Sequence, residues 1–151
     1  MVREYPDHPL IGVGAVVLEG DKVLLVRRGR EPCAGKWSIP GGLVELGERL
    51  ENAVKRELYE ETRIRGEPRE VLRIDEYVER DREGGVRYHY VLIEYLVDPL
   101  DPLERAEAGE DATEVGVFEL REALERLDLT EDARKILSKL LTGSVDFARK
   151  R

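Results

Sequence analysis

Apolar residues fall along this chain in runs of two kinds. Ile11 to Leu18 (IGVGAVVL) and Lys22 to Arg27 (KVLLVR) are almost continuously apolar and rich in Val, with Glu19-Gly20-Asp21 between them. They predict two strands joined by a turn into a hairpin. Because the apolar positions do not alternate with polar ones, the pair is expected inside a sheet covered on both faces. A basic, glycine-containing loop, Arg27 to Lys36, follows. From Gly47 to Thr62 the spacing changes: Leu50, Ala53 or Val54, and Leu58 recur at three and four residues, the buried stripe of a helix. Arg69 to Arg80 alternates loosely and predicts a strand. Asp81 to Gly85 is a turn, with Gly84 and Gly85 free to take positive φ. Val86 to Val97, dense in β-branched and aromatic residues, is the strongest strand of the chain.

Asp98 to Thr113 is a polar loop long enough to suggest a functional role. Glu114 to Leu120 predicts a short strand, and Arg121 to Leu127 and Thr130 to Leu141 predict closing helices, with Thr130 as the N-cap of the second. The tail from Gly143 to Arg151 shows no pattern. Strands before, between and after the helices, without regular βαβ alternation, predict an α+β mixed sheet with helices on its faces.

Composition narrows the functional classes. At 151 residues the chain fits one domain, residues 1–151, large enough to bury a core. A net charge of −8 argues against an extended nucleic-acid surface. It leaves room for a small phosphorylated substrate, since bound cations reverse the local charge. The single cysteine, Cys33, cannot form an internal disulfide and suits a reducing compartment. No run is apolar for long enough to span a bilayer, and no signal peptide is evident, so a cytoplasmic protein is expected.

The chemistry concentrates between Pro40 and Ile64. Glu57, Glu60 and Glu61 stand at i, i+3 and i+4, so they share one patch of the helix, where like charges repel. Glutamates often fill the solvent face of a helix for no further reason. Here a glycine pair, Gly41-Gly42, ends a loop just upstream, Arg56 directly precedes the first clustered glutamate, and Glu48 lies nine residues before Glu57. A Mg²⁺ or Mn²⁺ ion, which takes oxygen ligands, would relieve the repulsion.

The spacing of Gly42, Glu48, Arg56, Glu57, Leu58, Glu60, Glu61 and Ile64 resembles the signature of the Nudix hydrolases. One position departs: Arg63 stands where the family usually has the glycine that ends the helix. That departure questions the local turn but removes no ligand. The lead-in Gly35 to Gly42 (GKWSIPGG) agrees with the family as well.

The resemblance implies a Nudix α/β/α sandwich with a central mixed β-sheet and the loop-helix-loop motif. It also implies metal-dependent hydrolysis of a nucleoside diphosphate linked to another group. Gly41 (through its carbonyl), Glu48, Glu57, Glu60 and Glu61 would hold Mg²⁺ or Mn²⁺. Glu57, Glu60, Glu61 and Arg56 would form the catalytic set, with Arg56 orienting a glutamate rather than touching substrate. Substrate contacts are expected from Gly42, Arg27, Arg28, Glu110 and Glu114, with Arg30 a further candidate cation, although the arginines equally could pair with the chain's acids; Glu110, Asp111 and Glu114 are candidate general bases or ordinary loop acids. Trp37 either stacks on a base or packs. His8 and His89 are too separated for a zinc site. Tyr88 and Tyr90 alternate with His89, so the two sets face opposite sides of a strand.

ADP-ribose, cleaved to AMP and ribose 5-phosphate, is the expected substrate. A MutT-like nucleoside triphosphate pyrophosphatase is the alternative within the class, and a nucleotide-sensing Nudix module is the alternative outside it. A homodimer is a further expectation from the family. The residues do not separate Mg²⁺ from Mn²⁺, nor do they say which glutamate takes the proton.

Overall fold

The computed structural model describes residues 2–143; the patternless segment 144–151 lies outside the described residues. The apolar runs become β1 (Leu10–Glu19) and β2 (Lys22–Arg28). They are paired only beside their turn, at Leu18 with Val23 and Glu19 with Lys22, and then part. The expected hairpin is therefore a short stem with splayed arms. β4 (Gly41–Leu43) joins β1 at the splayed end, antiparallel to Gly12, Val13 and Gly14. β2 instead pairs with β3 (Trp37–Ser38) on one side and β7 (Ala112–Glu119) on the other. The chain thus crosses from one arm to the other between Ser38 and Gly41, and the functional residues gather at this crossing.

β6 (Val86–Pro99) runs parallel to β1, from Leu10 opposite Tyr90 to Val17 opposite Val97. β5 (Gly66–Arg80) pairs antiparallel with β6 and forms the sheet edge. One parallel pair among antiparallel ones makes the sheet mixed, as expected. The loose alternation of β5 has a local cause: its register shifts between Pro68 and Glu70 and again between Val71 and Arg73. Each shift changes which face the next residue points to.

Three helices cover the sheet: α1 (Leu50–Thr62), α2 (Leu120–Arg126) and α3 (Glu131–Thr142). Val13, Ala15, Val17 and Leu24 pack on Ala53, Val54 and Leu58 of α1. On the other face, Val16, Leu18, Val23 and Leu25 pack on Ala123 of α2 and Ile136, Leu137 and Leu140 of α3. Both arms are covered on both faces, which is why their sequences lack polar alternation. Each fully buried Val, Leu or Ile contributes about 1.5–3 kcal/mol.

Thr130 caps α3, its Oγ1 accepting from Ala133 N–H at 3.3 Å. Two boundaries differ from expectation. α1 begins at Leu50, not Gly47, because Gly47 sits at φ +82° and holds the preceding loop out of the helix. In the turn after β5, Gly84 takes the positive φ and Gly85 does not.

Candidate active site

The glycine pair is required by close packing. A side chain on Gly41 would run into the backbone of Val13 and Gly14 on β1, and one on Gly42 would run into the carboxylate of Glu57. Without those side chains, α1 lays its acidic face directly on the β4 backbone. The Gly41 N–H then donates to Glu61 Oε1 at 2.8 Å.

Arg56 organises the remaining glutamates. Its Nε and Nη2 donate to the two oxygens of Glu48 at 2.7 and 2.8 Å, a bidentate pair. Its Nη1 donates to Glu57 Oε1 at 2.7 Å and reaches Glu60 at 3.3 Å, while Nη2 also donates to the carbonyl of Leu43 at 3.0 Å. One guanidinium therefore ties loop, strand and helix together. Glu48 is spent on this contact: it lies in the loop before α1 and faces Arg56 rather than the open cleft. Its hydrogen bonds from Arg56 hold its carboxyl below the usual range.

Glu57 and Glu61 have the opposite electrostatics. Burial pushes Glu61 up to about 8, against the lowering by the Gly41 N–H, and the neighbouring Glu57 adds repulsion. Glu57 is also raised, chiefly by burial, and Arg56 offsets part of the shift. Two partly desolvated carboxyls on one wall form a donor set short of positive charge.

The end of α1 is held in two ways. Arg63 takes the left-handed conformation that glycine usually fills, φ 61° and ψ 16°, and its N–H bonds the Tyr59 carbonyl at 2.8 Å. The turn is kept at a cost of about 1–2 kcal/mol for the side chain, and the Arg63 guanidinium lies 5.7 Å from the Tyr59 ring centre. The last carbonyls are then satisfied by the loop before β7. Glu107 N–H donates to Thr62, Gly109 N–H to Glu61 and Glu110 N–H to Glu60, at 2.9 to 3.1 Å. Gly109 lies so close that any Cβ would collide with the Glu60 carbonyl. These bonds hold Glu110 and Asp111 over the glutamates of α1.

The resulting cleft has a volume of about 350 Å³ and is lined by Glu57, Glu60 and Glu61, the glycine pair, Glu110 and Asp111, together with Arg3, Arg28 and Arg30. Arg28 spends its Nε on the Pro32 carbonyl at 2.7 Å, and Arg30 pairs with Asp111 at 2.6 Å. Of the two expectations for Arg27 the structure shows the ion pair: Arg27 and Glu114 pair with each other at 2.8 Å on the β2–β7 ladder, and neither lines the cleft. Trp37 packs edge-on against Phe118, with ring centres 5.1 Å apart. Among the described residues, no group of three or more His, Cys, Asp or Glu side chains stands close enough to chelate an ion. The donor set still fits a hard cation: three carboxylates open onto one cleft, and two of them are destabilised as anions by burial.

Sequence reasoning missed a second cavity behind the glycine pair, of about 110 Å³. It shares Arg3, Arg28, Gly41 and Gly42 with the first, and Tyr77, Tyr90, Glu94 and Asp132 line it further in. A signal for it was present: Glu94 is the one charged residue in the apolar run Val91 to Val97. Gly109, in a polar loop, gave none.

The NUDIX domain model matches residues 8–140, and the chain belongs to that family. The ADP-ribose pyrophosphatase of Methanocaldococcus jannaschii is 34% identical over 113 residues, covering 75% of this chain and 63% of that protein. Phosphatase NudJ of Escherichia coli is 31% identical over 96 residues, 62% of this chain and 61% of that one. Among solved structures, a MutT NUDIX hydrolase from Burkholderia pseudomallei aligns over 89% of this chain and 99% of its own, with a TM-score of 0.77 and 29% identity. The NUDIX domain of Shewanella oneidensis NrtR, complexed with ADP ribose, aligns over 92% of this chain and 90% of its own, with a TM-score of 0.71 and 25% identity.

Proposed function

We propose that this protein is a Nudix hydrolase that cleaves a nucleoside diphosphate linked to another moiety, with ADP-ribose, giving AMP and ribose 5-phosphate, as its substrate. The observation that carries the proposal is the junction at Gly41-Gly42. There an acidic, arginine-faced cleft opens into an aromatic pocket, so a diphosphate and a nucleoside can be held at once. The M. jannaschii relative, an ADP-ribose pyrophosphatase, supports the substrate.

Arg28, whose Nη groups do not bond Pro32, and Arg3 line the cleft and would bind phosphate oxygens. Arg56 holds Glu57 and Glu60 in place, and the Gly41 N–H fixes the rotamer of Glu61. Glu57, Glu60 and Glu61 would hold Mg²⁺ or Mn²⁺, with the Gly41 carbonyl as a further donor. When bound, the ion supplies charge neutralisation at the diphosphate and acidifies the attacking water. The proton leaving that water is taken by a cleft carboxylate, on α1 or at Glu110 or Asp111. A cytoplasmic site of action, a single domain over the whole chain and a homodimer belong to the same proposal.

The test is product analysis on purified protein with Mg²⁺. ADP-ribose should yield AMP and ribose 5-phosphate faster than nucleoside triphosphates yield pyrophosphate. The likeness to the B. pseudomallei MutT hydrolase favours the second reading, a triphosphate pyrophosphatase. Faster pyrophosphate release would select it. Nucleotide binding without turnover on any substrate would select the sensing module.

A further inference from the structure

Four residues border both the acidic cleft and the pocket behind it: Arg3, Arg28, Gly41 and Gly42. The glycines offer only backbone, so the charged side chains at this junction are the two arginines. Arg28 stands on β2 and has its Nε on the Pro32 carbonyl. Arg3 differs on both counts. It comes from outside the sheet, on the segment that precedes β1. It is half-buried, yet it makes no hydrogen bond or ion pair among the described residues, whereas Arg30 and Arg56 of the same cleft have carboxylates at 2.6 and 2.7 Å. Its charge reaches the cleft, where it favours the ionised form of Glu57.

The segment that carries Arg3 is tied down at the next two residues. Glu4 and Tyr5 form a bend, and Tyr5 takes a left-handed conformation, φ 49°. A residue with a side chain keeps that conformation only where its surroundings hold it, and such residues gather at functional sites. Three contacts hold this one. The Tyr5 N–H donates to the Arg87 carbonyl at 2.8 Å, the Tyr5 hydroxyl donates to Asp81 Oδ2 at 2.9 Å, and Arg87 Nε donates to Glu4 at 3.1 Å. Asp81 is a firm post, because its Oδ1 accepts from the N–H groups of Glu83 and Gly85 within the turn between β5 and β6. Exposed ion pairs of this kind add little to stability. Their effect is to fix where the segment runs, and so where Arg3 stands.

We infer that Arg3 is a binding residue for the diphosphate and that Tyr5 is its positioning residue. The bend at Glu4-Tyr5, latched to the β5–β6 turn, puts the Arg3 guanidinium where a diphosphate passes from the cleft into the nucleoside pocket. A guanidinium with unspent donors suits that place, since its planar fork binds phosphate oxygens in pairs. The inference deepens the proposed hydrolase reading and rests on it for the substrate. Arg3 holds the diphosphate before and during reaction alike, so it acts on KM more than on kcat. Tyr5 touches no substrate and acts only through Arg3.

The experiment uses the full chain with Arg3→Ala, Arg3→Lys, Tyr5→Phe and the double variant Arg3→Ala/Tyr5→Phe, each checked for native circular dichroism. Binding of adenosine and of the methylene analogue of ADP, in which CH₂ replaces the bridging oxygen, is measured calorimetrically with Mg²⁺. KM and kcat are measured for ADP-ribose. Arg3→Ala should weaken the analogue roughly ten- to a hundredfold and leave adenosine within about twofold. It should raise KM for ADP-ribose more than it lowers kcat. Lysine keeps the charge without the fork and should restore part of the loss. Tyr5→Phe should weaken the analogue about threefold in wild type and leave it unchanged in Arg3→Ala, a coupling that a merely structural role would not produce. If this binding pattern appears and no ADP-ribose is hydrolysed, the inference stands and the proposed hydrolysis fails. If ADP-ribose is hydrolysed and Arg3→Ala changes neither KM nor the affinity for the analogue, the hydrolysis stands and the inference is overturned. Equal losses of adenosine and analogue in Arg3→Ala, additive losses at Arg3 and Tyr5, or no binding of the analogue to wild type overturn it as well.

Discussion

Two carboxyls, the half-buried Glu61 in the cleft and the buried Glu94 in the pocket, are each pushed up to about 8 chiefly by burial, in different company. Glu61 lies among other carboxylates, held by the N–H of Gly41, in a cleft that arginines also line. Glu94 lies among Asp75, Asp132 and Arg73, 3.9 Å from the Arg73 guanidinium and without a hydrogen bond. The same direction of shift therefore arises in two settings: in the cleft, burial acts beside the neighbouring Glu57, and in the pocket it acts beside Asp132 and Asp75 with the Arg73 guanidinium too distant to hydrogen-bond.

The largest effect that would break this comparison is at the cleft. Glu61→Gln and Glu57→Gln should each lower kcat for ADP-ribose by roughly 10²- to 10⁴-fold, with the far-UV circular dichroism unchanged. A loss below tenfold in both would remove the cleft from the chemistry. Next is Gly109→Ala, which forces the loop off the Glu60 carbonyl and frees Glu110 and Asp111. It should cost about 1–3 kcal/mol, roughly 3–8 °C in Tm, and lower kcat as well; unaltered kinetics would mean that the loop acids take no part.

At Glu94 the contrast is thermodynamic. Its folded-state pKa lies above that of the unfolded chain, so the folded protein keeps a proton that the unfolded chain releases. Stability is greatest below the unfolded value and falls as pH rises towards about 8. Glu94→Gln removes that penalty. Its Tm should exceed wild type by several degrees near pH 8, with the gain shrinking as pH falls towards about 5. A gain independent of pH would show that Glu94 is ionised when folded. The smallest effect is at Arg63. Replacing it with glycine relieves the left-handed strain but loses the Tyr59 contact, for a net gain of about 0.5–1 kcal/mol, seen as a rise of roughly 1–4 °C in thermal unfolding.

Much of the cleft was legible because its parts are local. Arg56, Glu57, Glu60 and Glu61 lie within two turns of one helix, where spacing fixes relative position. Gly41 and Gly42 precede that helix by a short loop. The covered strands were legible too, since burial on two faces leaves an unbroken apolar run. Legibility ended where contacts join distant segments. Arg27 and Glu114 looked like substrate residues, but the β2–β7 register sets them opposite each other, and they pair.

By itself the sequence determined the mixed α+β architecture, the acidic helix, the glycine-lined approach to it and the family. All of these follow from periodicity and fixed spacing within short stretches. Only the tertiary structure decided that β1 and β2 part beyond their turn, that the loop before β7 completes the end of α1, and that Glu94 is buried without a hydrogen bond in a pocket that Asp132 also lines. The reason is that such features depend on strand register and on the desolvation that packing imposes, and both exist only once segments far apart in the chain have met.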